Sequence, residues 1–216
     1  GIDGGGTSCR GRAILADGRR IEARGGPANV SRFDSATENL RALLQGLAEA
    51  AGLADWQGAR AHLGLAGVIS PAIAARVAAA LPLEAPVVTG DETIMIAGAL
   101  GEVDGAVAAI GTGSFVGRQS AGEIRAIGGW GFVLGDQAAG AWLGRRLLEE
   151  TILAADGLVG PTGLSEAIGA RMGGIPGIVA FGFRAGPDEF AALAPEIVAA
   201  AGAGDALAAR LMQEGA

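Results

Sequence analysis

Three observations predict an α/β fold made of two similar halves. The chain opens on Ile2-Asp3-Gly4-Gly5-Gly6-Thr7, an apolar lead that runs into an acid, three glycines and a hydroxyl, with a second extended run (Ala13-Ile14-Leu15-Ala16) behind it. The same order of strand, glycine and hydroxyl turn, and strand returns at residues 106–117, around Gly111-Thr112-Gly113-Ser114. Between these runs, segments with the 3.6-residue spacing of amphipathic helices alternate with short apolar runs of buried strands. A recurrence of this kind marks a duplicated unit.

The first half reads β-β-β-α-β-α-β-α. The opening hairpin is followed by a weakly alternating run, residues 19–24, that suits a third antiparallel strand, and Gly25-Gly26-Pro27-Ala28-Asn29 breaks it. Ser35 and Glu38 have the S-x-x-E spacing of a capping box ahead of Leu40, Leu43, Leu44, Leu47 and Ala51, which share one helical face. Gly52 is placed to end that helix in a left-handed cap. Residues 59–65 form a buried-strand pattern that leaves through Gly64-Leu65-Ala66-Gly67, with the only histidine, His62, inside it. With no Cys, His or carboxylate neighbour in sequence, that histidine reads as structural. Ser70 caps and Pro71 opens the next helix. Residues 86–89 make another short strand ending at Gly90-Asp91-Glu92, and a helix covers residues 93–100.

The second half repeats the start. A strand at 106–110 meets the second glycine turn, an extended run follows at 115–117, and Gly122-Glu123 turns the chain into a third strand at 124–127. Gly128-Gly129-Trp130-Gly131 is a loop, and Gly135-Asp136-Gln137 is read as opening a helix with Trp142, Leu143, Leu147 and Leu148 on its apolar side. Beyond Thr151 only helices are read, at 162–172, 175–183, 188–201 and 205–212. Domains are therefore expected at 1–103 and 104–216, the second without its final strands. The helical faces carrying Leu193, Ile197, Val198, Leu207 and Leu211 would then lack part of the sheet they should pack on. A chain ending at Ala216 is expected on that ground to be poorly soluble or partly unfolded, and inactive.

Composition narrows the function classes. The 216 residues suffice for one large domain or two small ones. Half are hydrophobic but only 4% are aromatic, so the core must be built from Ala, Leu, Val and Ile. The 39 glycines show no collagen period and gather at turns. Net charge is −7, lysine is absent, and the 16 arginines are scattered, which sets nucleic acid aside as a partner. The single cysteine, Cys9, excludes an internal disulfide and reads as a small buried filler of the second strand. No uncharged apolar run reaches about 18 residues and no signal-peptide pattern is present, so no membrane partner and a cytoplasmic location are expected.

Glycine turns of this kind let backbone approach a ligand closely, since glycine takes positive φ and carries no Cβ. Successive N–H groups then form an anion-binding concavity, to which Thr7 and Ser114 add hydroxyls. A carboxylate beside a phosphate is repulsive unless a cation lies between them. Asp3 therefore points to a nucleotide phosphate held with Mg²⁺, contacted directly or through water. A tight turn with a capping Asp is the plainer reading of the same residues. Asp91 stands at a strand end and a helix start, where open α/β sheets place ligands, and is the candidate general base; an ordinary N-cap is its plainer role.

Six motifs appear in a fixed order: Ile2-Asp3-Gly4-Gly5-Gly6-Thr7, Gly26-Pro27-Ala28-Asn29, Gly64-Leu65-Ala66-Gly67, Ile110-Gly111-Thr112-Gly113-Ser114, Gly128-Gly129-Trp130-Gly131, and the run from Leu134 through Gly135-Asp136-Gln137 to Gly144. Together they resemble the N-acetylglucosamine and glucosamine kinase family, which shares the BadF/BcrA-type ATPase domain of the actin-like superfamily. The resemblance implies duplicated β-β-β-α-β-α-β domains of ribonuclease H-like topology with a cleft between them, and ATP with Mg²⁺ as cofactors. It makes Asp3 to Thr7 and Gly111 to Ser114 the phosphate motifs, with Asp3 toward the metal. Asp91 becomes the base that takes the proton of the sugar 6-hydroxyl. Asn29, Gly67, Asp91, Gly129, Trp130, Gly131, Asp136 and Gln137 become sugar-site residues.

Many relatives carry Glu where this chain has Gln137, which leaves the sugar's C2 substituent open. Two other classes share the domain. One is an ATPase coupled to electron transfer, which needs cluster-ligating cysteines that one Cys9 cannot supply. The other is a sugar-sensing regulator without catalysis, against which the presence of Asp91 argues. A homodimer is the prior for a soluble enzyme.

Overall fold

The computed structural model describes residues 1–216, which divide into two compact units: Gly1–Gly105 with Arg118–Arg125, and Ala106–Gly117 with Ala126–Ala216.

In the first unit, β1 (Ile2–Gly4), β2 (Cys9–Ile14) and β3 (Arg20–Gly25) form an antiparallel meander, and α1 (Phe33–Ala51) follows. Then come β4 (His62–Leu65), α2 (Pro71–Ala80), β5 (Val87–Thr89) and α3 (Asp91–Leu100). The sheet order is β3-β2-β1-β4-β5, with β4 parallel to β1 and β5 parallel to β4. The short β1 is thus central, and the carboxyl ends of β1, β4 and β5 share one edge.

Register decides which way each side chain faces. Ile2 pairs with Gly11 and Leu63, whereas Asp3 pairs with Arg10 and Gly64. A Cβ on Gly11 would meet Leu47 and Leu43 of α1, so the Ile2 row faces α1. A Cβ on Gly64 would run into Ile94 of α3, so the Asp3 row faces α3. The α1 side is the core, where Leu40, Leu43, Leu44 and Leu47 pack with Ile2, Cys9, Leu63 and Leu65. Burial also pushes the Cys9 thiol above its ordinary range, as suits a filler rather than a nucleophile.

The helix ends follow local chemistry, with one correction. Gly52 closes α1 at φ +72°, and Ser70 caps α2 ahead of Pro71, as expected. The Ser35–Glu38 capping box does not form. A 3₁₀ turn over Val30–Arg32, capped by Asn29, leads directly into α1, so Ser35 lies inside the first turn and its hydroxyl donates to the Arg32 carbonyl. The sequence pattern could not show that turn, because its cap is the loop residue Asn29.

The strands β6 (Gly105–Ile110), β7 (Ser114–Ser120) and β8 (Glu123–Gly128) form a sheet in chain order. At its distal end the buried Gln119 amide donates to the carbonyls of Gly101 (2.8 Å) and Val103 (3.2 Å), within the first unit.

Helices make up the rest of the second unit: α4 (Gly140–Ala155), α5 (Gly163–Met172), α6 (Gly174–Arg184), α7 (Pro187–Ala191), α8 (Ala194–Gly202) and α9 (Ala206–Glu214). The helix expected over residues 188–201 is broken between α7 and α8. Pro195 sits in the first turn of α8, where its missing N–H is harmless, and a continuous helix would set its ring against the carbonyl four residues back. The helix expected from Gly135 begins instead at Gly140, because Asp136 (φ +58°) and Ala138 (φ +66°) are left-handed.

No strand follows β8, yet the expected loss of packing does not occur. Leu193, Ile197, Leu207 and Leu211 are all buried in one cluster with Leu143, Leu147, Leu164 and Ile168, and only Val198 is exposed. Helices cover these faces in place of strands. Phe190 lies at this core against Phe132 and Phe181, with ring centroids 4.9 and 5.1 Å away. Glu150 of α4, almost fully buried, takes Arg210 of α9 at 2.6 Å and Arg146 at 3.0 Å, and the Arg210 bond holds its carboxyl below the usual range.

Gly144 allows α4 and α7 to approach, since a Cβ there would overlap the Phe190 carbonyl. Gly144→Ala should therefore destabilise the second unit by about 1–3 kcal/mol despite the better helix propensity of alanine. Chemical denaturation showing equal or greater stability would remove this close approach from the account.

Candidate active site

The carboxyl edge of the first sheet gathers one set of candidate residues. Beyond β1, the Gly5 N–H donates to the Ser8 carbonyl at 3.0 Å, closing the turn that carries Gly6 and Thr7 on the surface. Gly4 is there by necessity: a Cβ would stand 2.5 Å from Leu65 Cδ2 and 2.9 Å from Ala28 Cβ. Two bonds lace neighbouring loops to the turn, Ala28 N–H to the Gly5 carbonyl (2.9 Å) and Ala66 N–H to the Gly4 carbonyl (2.8 Å).

That lacing brings Asn29 and Gly67 together. Asn29 Oδ1 accepts from the Ser31 N–H at 2.9 Å, and a Cβ on Gly67 would lie 2.7 Å from the same oxygen. Gly67 also has φ +86°, so two reasons exclude a side chain there. Asn29 is therefore half committed: its side-chain carbonyl caps the 3₁₀ turn, while its NH₂ makes no hydrogen bond within the chain.

Asp91 follows β5 as the first residue of α3. The cap position is Gly90, which has no side chain to cap with, and the Asp91 carboxyl lies close to the backbone N–H groups of Asp91 and Glu92 in the first turn. Burial pushes the Asp91 carboxyl above its ordinary value, and the nearby Asp3 charge adds to the push. Glu92 is raised too, first by burial and then by the Asp91 charge, and its side chain folds back over Gly90. Glu92 was not among the expected site residues, although adjacent acids at a strand end are a visible signal.

Asp3 faces α3 and bonds Arg10 directly across the hairpin, Nη2 to Oδ2 at 3.0 Å. Together with Arg12, Glu22, Arg24, His62 and Ile94 they line a cavity of about 610 Å³. His62, which is exposed, has its Nε2 3.0 Å from Thr89 Oγ1. Arg10 was not among the expected site residues, though counting back across a turn at residues 5–8 sets it opposite Asp3.

The second unit gathers its own set. Ser114 Oγ donates to the Gln137 carbonyl at 2.6 Å, Gly129 N–H to the Ser114 carbonyl at 3.0 Å, and Gly131 N–H to Asp136 Oδ1 at 3.3 Å. A Cβ on Gly113 would stand 2.7 Å from Asp136 Oδ2, so the turn and the acid are in contact. Asp136 is buried and left-handed, a conformation Asp tolerates better than most residues. The Gly111 and Thr112 carbonyls accept from the Gly140 and Ala141 N–H groups (2.8 and 3.1 Å), which ties the turn to the start of α4. The Thr112 hydroxyl reaches Asp188 of α7 at 3.1 Å, a partner no local pattern announces. Trp130 is 70% exposed and Gln137 is exposed, whereas the Trp130 backbone packs on Gly135.

No three His, Cys, Asp or Glu side chains gather as a metal cage. Asp3 alone still fits Mg²⁺, which takes one or two carboxylates and completes its shell with water and phosphate oxygens.

A β-β-β-α-β-α-β unit in the order 3-2-1-4-5, with glycine and hydroxyl turns in both halves, defines an actin-like ATPase fold. The chain belongs to the BadF/BadG/BcrA/BcrD ATPase family, whose profile matches residues 1–216, and ATP use follows from membership. It is 34% identical over 221 residues to a glucosamine kinase of Vibrio cholerae serotype O1, spanning 99% of this chain and 75% of that protein. A crystal structure of a Chromobacterium violaceum protein described as an N-acetylglucosamine kinase is 33% identical with a TM-score of 0.84, covering 100% of this chain and 78% of the other. A Porphyromonas gingivalis protein of the same description is 24% identical with a TM-score of 0.65 over 99% of this chain and 76% of its own, which speaks for the fold alone. No single helix is long and apolar enough to cross a membrane.

Losing the Asn29 cap should cost about 1 kcal/mol in Asn29→Ala. A melting curve unchanged from wild type would mean that the Ser31 bond carries no stability.

Proposed function

We propose that the protein is an ATP-dependent amino-sugar kinase that transfers the γ-phosphoryl group to the 6-hydroxyl of glucosamine or N-acetylglucosamine. Asp91 carries the reading: a half-buried carboxylate pushed above its ordinary pKa by burial, on the same edge of the same sheet as the Gly4–Thr7 turn. The likeness to the glucosamine kinase of Vibrio cholerae supports the substrate class.

In this mechanism the turns at Gly4 to Thr7 and Gly111 to Ser114 hold the ATP phosphates with backbone N–H groups and hydroxyls. Asn29 and Gly67 of the first unit, and Gly129, Trp130, Gly131, Asp136 and Gln137 of the second, are the sugar-contacting residues of this reading. Asp91 accepts the 6-hydroxyl proton as that oxygen bonds to the γ-phosphorus and the bond to the β,γ-bridging oxygen breaks, releasing ADP. Mg²⁺, when bound on the Asp3 side, would neutralise phosphate charge. Phosphoryl transfer asks mainly for such positioning and charge compensation.

Incubating the full-length protein with ATP, Mg²⁺ and each amino sugar tests the reading directly: a sugar 6-phosphate is expected, and its absence with both sugars refutes the proposal. Asp91→Asn should lower kcat by about 10² or more.

A base works only when ionised, so kcat/KM should fall on the acid side around a pKa above the ordinary Asp value of 3.8. The same raised pKa sets a stability sign. The folded state favours the protonated carboxyl, so stability is greatest below the unfolded pKa and is lost as pH rises through the folded one. At neutral pH Asp91→Asn should therefore raise the melting midpoint while lowering kcat. A variant that is both active and less stable would exclude Asp91 as the strained base.

Asp136→Asn keeps the left-handed backbone and removes the charge. It should raise the sugar KM about 10-fold and leave ATP affinity nearly unchanged. Calorimetry reporting a lost ATP site instead would assign that loop to the nucleotide.

A further inference from the structure

The cavity on the α3 face of the first sheet contains more charge than the mechanism above uses. Along β2 and β3 the outward row holds Arg10, Arg12, Glu22 and Arg24 beside Asp3 of β1. Arg12 is paired with Glu22, its own cross-strand neighbour. Arg10 stands opposite Arg24 on one side and Asp3 on the other. Like charges directly across a strand pair oppose folding, so this row is not arranged for stability alone.

A phosphate site with an acid at its root poses an electrostatic problem. The Asp3 carboxylate repels the phosphate oxygens that the Gly4–Thr7 turn is built to receive. With no lysine in the chain, the fixed positive side chains are arginines. Arg10 is the one bonded to Asp3, Nη2 to Oδ2 at 3.0 Å. Its side chain is 65% exposed and the fork has five donors, so the single bond leaves the others for a second anion.

We propose that Arg10 is a positioning residue of the phosphate site, which holds the Asp3 carboxylate toward the sheet and cancels its repulsion of the ATP phosphates. The inference rests on the phosphate role given above to the Gly4–Thr7 turn, but not on the identity of the acceptor. Arg12, on the same strand and face but committed to Glu22, has no such role. A purely structural Arg10–Asp3 pair would add little, since exposed ion pairs are weak and screened.

The experiment compares wild type, Arg10→Ala, Arg12→Ala, Asp3→Asn and Arg10→Ala/Asp3→Asn, all full length. Calorimetry with ATP and no divalent ion reads the repulsion directly. Arg10→Ala should weaken ATP binding about 5-fold or more, since it unmasks one negative charge near the phosphates. Arg12→Ala should stay within about 2-fold, as expected for a neighbour outside the contact. On the Asp3→Asn background the effect of Arg10→Ala should shrink to less than about 2-fold, the non-additivity expected of residues acting through one another. Arg10→Lys should recover part of the loss, and it serves as the reading should Arg10→Ala prove unfolded.

Three results would overturn the proposal: no change in Arg10→Ala, an equal loss in Arg12→Ala, or an undiminished loss on the Asp3→Asn background. ATP hydrolysis and sugar phosphorylation are followed in the same samples. Wild type that binds and hydrolyses ATP without phosphorylating either sugar would defeat the kinase reading while leaving the test of Arg10 intact.

Discussion

The first unit depends on how closely backbone can pack around the end of β1. This strand is only three residues long, yet it is central to its sheet and paired on both sides. Its last residue has Leu65 and Ala28 where a side chain would go, and its carbonyl takes the Ala66 N–H. The Gly4–Thr7 turn, the Asn29 loop and the Gly67 loop are thereby drawn to one place by main-chain contacts. Strand alternation then turns Asp3 away from the core, onto the face it shares with α3 and Arg10. The lack of a side chain on Gly4 is what allows the three loops to meet.

The second unit reaches a comparable arrangement by other means. Its turn is tied to α4 through the Gly111 and Thr112 carbonyls, and the Asp136 carboxylate is held against Gly113 by a left-handed backbone. Left-handed geometry at Asp136 and Ala138 costs on the order of 1 kcal/mol each, which helical packing must offset. The cluster of Leu147, Ile168, Ile197 and Leu211, all fully buried, is large enough to do so. Strain of this sort is tolerable where the surrounding core determines the loop, and it delays α4 until Gly140.

Much of this was legible in the residues. Alternation and spacing identified the meander, α1 with its Gly52 cap, α2 behind Ser70 and Pro71, and the restart at residue 106. These are local effects, decided within a few residues by propensity, capping and period. Where local signals competed, the reading failed. Ser35 and Glu38 had the spacing of a box, but a 3₁₀ turn capped by Asn29 had already started the chain winding. Residues 188–201 had helical spacing throughout, and Pro195 divided them.

The site divides along the same line. Glycine, hydroxyl and acid motifs nominate the residues of a candidate site, because backbone that can approach an anion closely is built from these residue types. Their mutual placement comes from pairing across strands and packing between helices, interactions that spacing along the chain does not encode. Thus Asp3 and Asp91 could be named from the sequence, whereas the Arg10 bond, the raised carboxyls of Asp91 and Glu92, and the Thr112–Asp188 contact could not. The terminal helices show the limit most plainly. Their apolar faces were legible as faces, but only the tertiary structure decided that other helices would cover them, since hydrophobic burial rewards area removed from water and is indifferent to the element that removes it.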